Sequence, residues 1–380
     1  MELSGPTSRI AMGAHTASHT LARWFPTPSL IFPRAAGIDV SDTSIKWLVL
    51  APSRELYRVE TYGEEPIPEG VVVKGTIQNA EILTKALLQV KQALGNIQYA
   101  HAALPEEAAY VFEMHVPDGA SHEEVLHMIE FEFEGRVPIT PSAAVYDFDI
   151  IQKHDDGVGE DIAVAVFPRE LAENYVAAFD AAGIKLLSLE IEARSIARTI
   201  SSGASDEPIT LLVDFGRART GFAVLKHGIP IFTSTAEVGG DMLTTALIEK
   251  LALSPEDALV FRNEQGLRAD GGAKSPGVDA VMGAASALAD EVTRYYHYWD
   301  TRRNEHGERV TPVGRVVLVG GSANLKGLAD YIAGRVQAPT VIGNIWQHIC
   351  DFDDYIPPIN RRESLQYATA AGLALRALSL

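Results

Sequence analysis

The sequence predicts an α/β fold built from two copies of one unit. A strand–turn–strand hairpin occurs twice, helices follow each copy, and a glycine-punctuated apolar strand lies late in the second half. Residues 37–50, which begin Gly-Ile-Asp-Val-Ser-Asp-Thr-Ser, recur in outline at 212–225, which begin Leu-Val-Asp-Phe-Gly-Arg-Ala-Arg. Asp39 aligns with Asp214 and Leu50 with Leu225. Each copy reads as a strand ending in Asp, a tight loop of small and polar residues, and a second apolar strand. A chain of 380 residues is also long for a single core, so two domains are expected.

Further elements follow each hairpin in the same order. His227-Gly228 supplies a turn into a third strand at 229–233, and residues 57–62 are its equivalent in the first half. Asn79 caps a helix with Leu83, Leu87, Val90 and Leu94 on one face, stopped by Gly95. In the second half Gly239-Gly240-Asp241 opens a helix carrying Leu243, Leu247 and Leu251. Residues 315–319 form a buried strand expected to run directly into a helix through Gly320-Gly321-Ser322, with Leu325, Leu328, Ile332 and Val336 on the apolar face. A closing helix is expected from about Glu363, and its Ala-Ala-Gly stretch at 370–372 suits close helix packing.

Composition narrows the function classes. Apolar residues at 47% and charged residues at 22% fit an ordinary globular chain. The formal charge of -18 would repel a phosphate backbone, which argues against nucleic acid as a partner. The single cysteine, Cys350, allows no internal disulfide and fits a reducing cytoplasm. No run approaches the roughly 20 apolar residues that span a bilayer. Residues 1–36 form a basic tail without an acidic side chain after Glu2; a disordered leader, a lipid contact through the patch at 21–25, and a transit peptide all fit it.

The repeated loops suggest a chemistry. A tight hairpin of small residues exposes successive backbone N–H groups, and two facing hairpins would clamp one polyphosphate. Asp39 and Asp214 sit just before the loops, where carboxylates hold the waters of a Mg²⁺ ion. Gly320 and Gly321 let backbone approach a ribose and adenine closely. Taken singly, each feature is an ordinary turn or packing device; their order along one chain describes an ATP cleft between two domains.

That order is the order of the actin, heat-shock chaperone and sugar kinase superfamily, and within it the sequence resembles the type IV pilus assembly protein PilM family over nearly all of residues 37–380. Residues 37–46 look like that family's first phosphate loop, 214–221 like its second, and 317–328 like its adenosine motif. The most discriminating stretch follows Pro117: Ser121 and Glu124 form a capping box for an acidic helix with Val125, Ile129 and Phe133 on one face, then strands at 145–151 and 163–168. These resemble the small subdomain that PilM and the cell-division protein FtsA carry in place of an actin subdomain.

The resemblance implies an actin-like, duplicated ribonuclease H-like two-domain fold with an FtsA/PilM-type insertion. Its expected divisions are a first domain at 37–206 with the insertion at about 103–168, a second at 207–362 with a smaller subdomain at about 238–313, and a closing helix at 363–380 that returns to the first domain. It implies ATP contacts from Ser41, Asp42, Thr43, Ser44 and Lys46, from Gly216 and Arg217, from Gly239, Gly240 and Arg262, and from Gly320, Gly321 and Ser322. Asp39 and Asp214 would hold Mg²⁺ through water. Glu192 falls where related ATPases bring a glutamate toward the attacking water; its other reading is a surface helix carboxylate paired with an arginine.

Several positions depart from the family pattern. Ser41 stands where glycine is usual, Asp42 places negative charge near phosphates, and Leu259 replaces an acidic contact near the base. Arg217 and Arg219 replace small or hydroxyl residues; they would either pair with phosphate or fill an empty site. The implied function is a cytoplasmic platform component of pilus assembly at the inner membrane, at most a weak ATPase. It would bind the cytoplasmic tail of a PilN-like membrane protein in a groove beside the insertion, and would communicate with motor ATPases or form a ring.

Four alternatives are weighed against it. A scaffold that has lost nucleotide binding fits the departures. An FtsA-like protein would end in a membrane-binding helix, and a type II secretion platform protein would continue into a transmembrane segment; neither is expected here. A small-molecule kinase would need a base for which no candidate stands out.

Overall fold

The computed structural model describes residues 33–53, 56–154, 157–268, 275–303, 309 and 311–378. The expected readings of the basic tail, including the patch at 21–25, fall on residues 1–32 and lie outside the described residues.

The first half opens with β1 (Ala35–Val40), β2 (Ser44–Ser53) and β3 (Leu56–Pro66), an antiparallel meander. A small ribbon of β4 (Val72–Val73) and β5 (Thr76–Ile77) leads into α1 (Ala80–Leu94). Asn79 caps α1 by accepting the N–H of Ile82, and Leu83, Leu87, Val90 and Leu94 are buried as their spacing predicts. β6 (Tyr99–Leu104) then pairs parallel to β1.

An inserted layer follows. β7 (Tyr110–Val116), α2 (His122–Arg136), β8 (Ala144–Lys153) and β9 (Glu160–Pro168) form an antiparallel sheet in the order β7-β9-β8 under one helix. The Ser121–Glu124 capping box is present, and Val125, Ile129 and Phe133 meet Ile162, Val164 and Val166 in a separate small core. The chain returns through α3 (Arg169–Ala181), β10 (Lys185–Ile191) and α4 (Glu192–Ile200), with β10 parallel to β6.

The second half repeats the plan. β11 (Ile209–Phe215), β12 (Thr220–Lys226) and β13 (Ile229–Ala236) form the meander. The β12–β13 turn places His227 and Gly228 both at positive φ, the geometry of a two-residue hairpin. Then come α5 (Gly240–Leu251), α6 (Pro255–Glu264), α7 (Pro276–Thr301), β14 (Val313–Val319), α8 (Leu328–Val336), β15 (Thr340–Ile342) and α9 (Ala368–Arg376). The two large sheets have the orders β10-β6-β1-β2-β3 and β15-β14-β11-β12-β13, so strand for strand they share one topology. The central strands β1 and β11 are apolar nearly throughout, as strands covered on both faces must be.

α9 lies against α4 and β1. A Cβ on Gly37 would stand 2.1 Å from the Ala370 carbonyl oxygen, and one on Gly372 would stand 1.8 Å from that of Ser195. The small residues of 370–372 therefore bring backbones together.

Two expectations need correcting. β14 does not run directly into a helix. Gly320 at φ +85° turns the chain into a single 3₁₀ turn at Gly321–Asn324, and α8 starts only after Gly327, also at positive φ. Leu325 is thus buried ahead of the helix rather than on it. The closing segment likewise begins as a 3₁₀ turn, Glu363–Tyr367, before α9.

Candidate functional site

The topology sets the ends of β1 and β11 facing each other. Asp39 pairs in register with Lys46, and Asp214 with Gly221 on one side and Val319 on the other. Both carboxylates are interior. Burial, with the charge of Asp39 beside it, raises Asp214 to about 7. Asp39 is also raised by burial, against the pull of Lys46 and Arg219. Gly320 gives Asp214 its room, since a Cβ there would meet Asp214 Oδ1 at 2.4 Å.

Glu192 opens α4 beside this pair. Burial, then Asp39, Glu106 and Glu107, push it well above the usual carboxylate range. The surface-carboxylate alternative for Glu192 is therefore not what the fold builds. The arginine partners belong to Glu190, which binds Arg198 and Arg376 and is held down at about 2 by them against its burial.

The first loop is closed on itself. Ser41 Oγ accepts the N–H groups of Thr43 and Ser44 at 3.4 and 3.2 Å, and Ser41 N–H donates to the Ser44 carbonyl. Asp42 accepts the N–H groups of Lys74 and Gly75 at 3.1 and 3.0 Å, and also Arg219 from the second loop at 2.6 Å. Arg219 reaches Glu107 as well. Lys46 bonds Ser44 Oγ at 2.8 Å and pairs with Glu64 at 3.2 Å.

The second loop is stitched to the start of α5. Gly240 N–H donates to the Gly216 carbonyl and Asp241 N–H to that of Arg217, whose guanidinium also pairs with Asp241. Gly239 permits this approach, for a Cβ there would meet Arg217 O at 2.3 Å. Farther along, Gly240, Ser322 and Arg262 converge: a Cβ on Gly240 would lie 1.9 Å from Ser322 Oγ and 2.9 Å from an Arg262 amino nitrogen. Arg262 is buried and donates to Thr244 Oγ1, while its Nε, also buried, has no hydrogen-bond partner among the described residues. Gly321 faces Gln366, and Leu259 is exposed.

The carboxylates fit Mg²⁺: Asp39 and Asp214 are half-buried, both are raised by desolvation, Asp214 also by the charge of Asp39, and a cation would relieve both. The first loop does not fit a triphosphate as it stands, because its Thr43 and Ser44 donors are used internally and Asp42 binds the arginine that would meet phosphate.

Sequence reasoning missed Glu106 and Glu107, which follow β6 and face the same interior; Glu106 accepts the Ala193 N–H at 2.8 Å. The signal was there in Pro-Glu-Glu directly after an apolar strand.

A second concavity of about 740 Å³ opens between the inserted sheet and the first large sheet. Its walls are β8, α3 and β10, with Val145, Phe167, Val176 and Leu187 among its apolar side chains and Glu173 and Asp180 exposed on its rim. Among the described residues β8 pairs only with β9, and β10 only with β6, so two strand edges border the groove. Asp149 on β8 binds Arg194 of α4 at 2.8 Å and fixes one end of the groove.

The family described as type IV pilus assembly protein PilM matches residues 37–378. Among solved structures, a PilM-PilN type IV pilus biogenesis complex is similar at 19% identity and TM-score 0.75, covering 92% of this chain and 100% of that one. The ethanolamine utilization protein EutJ from Carboxydothermus hydrogenoformans is similar at 16% identity and TM-score 0.51, over 90% and 89% of the two chains. MreB5 of Spiroplasma citri bound to ADP is similar at 13% identity and TM-score 0.50, over 90% and 95%. The fold is thus actin-like.

Proposed function

Because this chain belongs to the type IV pilus assembly protein PilM family, we propose that it is a cytoplasmic platform, peripheral to the inner membrane, that seats the cytoplasmic tail of a PilN-like membrane protein in the groove between β8, α3 and β10. The groove carries the reading. It is apolar inside, acidic at its rim, and bordered by two strand edges able to pair an extended segment. Cytoplasmic tails of membrane proteins carry excess Lys and Arg, which suits Glu173 and Asp180. Among the described residues no helix is long and apolar enough to cross a membrane; attachment through the partner is part of the proposal.

A titration calorimetry experiment with a synthetic PilN-like tail peptide tests this. Val176 and Leu187 are about two-fifths exposed, so Val176→Asp and Leu187→Asp should fold. Each is expected to weaken binding about tenfold or more, the scale of losing a buried apolar anchor. Equal affinity in both variants would move the partner elsewhere.

The cleft is proposed as a nucleotide site working on the platform's geometry. Asp39 and Asp214 would hold Mg²⁺ through its waters, and the ion would offset phosphate charge. Lys46, Arg217 and Arg219 supply positive charge, Gly239, Gly240, Arg262 and Ser322 the wall toward a nucleoside, and Glu192 a polar group behind Asp39. The half-buried carboxylate pair and the actin-like fold support this; the Asp42–Arg219 pair opposes tight binding in the closed arrangement. Domain boundaries at 206/207 and 362/363, contacts with motor ATPases and ring assembly belong to the same proposal.

A further inference from the structure

Away from the cleft and the groove, three metal-ligating side chains meet on the inserted sheet: His115 near the end of β7, His154 just after β8, and Asp161 at the start of β9. One carboxylate serves both imidazoles. Asp161 Oδ1 lies 3.0 Å from His115 Nδ1, and Oδ2 lies 3.2 Å from His154 Nε2. The three ligand atoms lie within 4.8 Å of one another, and donors about 2.0–2.1 Å from a tetrahedral zinc ion stand about 3.3 Å apart, so the two imidazoles would draw in around the carboxylate when an ion binds.

The hydrogen-bond pattern at His115 asks for a cation. Its Nδ1 faces Asp161 Oδ1 at 3.0 Å and its Nε2 faces the Val158 carbonyl oxygen at 3.3 Å, both acceptors. A neutral imidazole carries one N–H, so in either tautomer one ring nitrogen turns a lone pair toward an acceptor. A second proton or a metal ion resolves this, and the His154 nitrogen on the same carboxylate supplies a third donor for a metal. The backbone holds the arrangement: His154 N–H donates to the Gly159 carbonyl at 3.0 Å, and Gly159, at φ +143°, leaves no room for a side chain, since a Cβ would stand 2.7 Å from His115 Nε2. Lys226 Nζ, 3.9 Å from Asp161 Oδ2, also has Glu113 at 3.5 Å and can shift to it when a dication arrives.

We propose that His115, His154 and Asp161 form a binding site for one divalent transition ion of the zinc class, with remaining positions open to water. Two imidazoles and a carboxylate suit that class better than Mg²⁺ or Ca²⁺, which prefer oxygen. The site tethers β7 to the β8–β9 hairpin of the inserted sheet.

The full chain without an affinity tag, titrated with Zn²⁺ by calorimetry and with Co²⁺ by visible absorption near neutral pH, tests it. One equivalent of Zn²⁺ should bind with a Kd of about 10 μM or tighter. His115→Gln and His154→Gln should each weaken it about tenfold or more. No saturable binding at about 100 μM Zn²⁺ would overturn the proposal. Binding that persists unchanged in both variants would overturn it equally, as an adventitious ion only. Should either variant fail to fold, X-ray absorption of the zinc-loaded native chain decides: two imidazole ligands support the site, none refutes it.

Discussion

Arg219 holds two carboxylates of the other half at once, Asp42 and Glu107, and so bridges the two loops that would cradle a phosphate. Its guanidinium is about one-fifth exposed, so desolvation offsets part of the attraction, while parting the charges would leave them poorly solvated. Asp42 is the residue that makes this closed state, since it also caps the Lys74 and Gly75 N–H groups. Replacing it with serine, Asp42→Ser, removes a negative charge from the phosphate side and frees Arg219. Affinity for ATP with Mg²⁺, read by calorimetry, is expected to rise about fivefold or more, the size of a one-charge-pair effect near a surface. An unchanged or weaker affinity would contradict the closed-latch reading. The residue types at 42, 217 and 219 were legible as departures. That Arg219 would cross to Asp42 and Glu107 was not, because no local pattern encodes a contact between residues 177 positions apart.

At the scale of elements, the glycines separate into those that carry a contact and those that do not. Gly372 in α9 abuts the Ser195 carbonyl, and Gly334 in α8 has nothing within 4 Å of where a Cβ would sit. Gly372→Ala should destabilise by about 1–3 kcal/mol, the cost of overpacking against backbone. Gly334→Ala should stabilise by about 0.5–1 kcal/mol through helix propensity. Thermal unfolding of both variants checks this, and equal shifts would contradict the packing assigned to α9. Elements with a chemical signature were readable: the Asn79 cap, the Ser121–Glu124 box and the Gly239 start all stand where their residues imply. The start of α8 was not, because the apolar spacing of Leu325 continues smoothly into Leu328, while Gly327 at positive φ breaks the backbone between them, as Gly320 does ahead of both.

For the whole molecule, the repeated hairpin was enough to imply two sheets of one topology, since a duplicated β-meander brings its parallel crossovers with it. What it could not supply was the groove. That feature depends on how the inserted sheet leans on α3 and β10, and its walls come from three separate stretches of chain. The groove and the cleft share α4: Glu192 opens it at the cleft, and Arg194, one turn edge away, ties to Asp149 on β8. Movement of one half against the other would therefore reach the groove through that helix. Hydrogen exchange of the protein with and without the PilN-like tail peptide tests the account most directly. Amides of β8, β10 and the facing turn of α3 should slow when the peptide binds, while α2 and α7 are unchanged. Slowing confined to the cleft loops at 41–44 and 216–220, or to the outer face of α2, would contradict it.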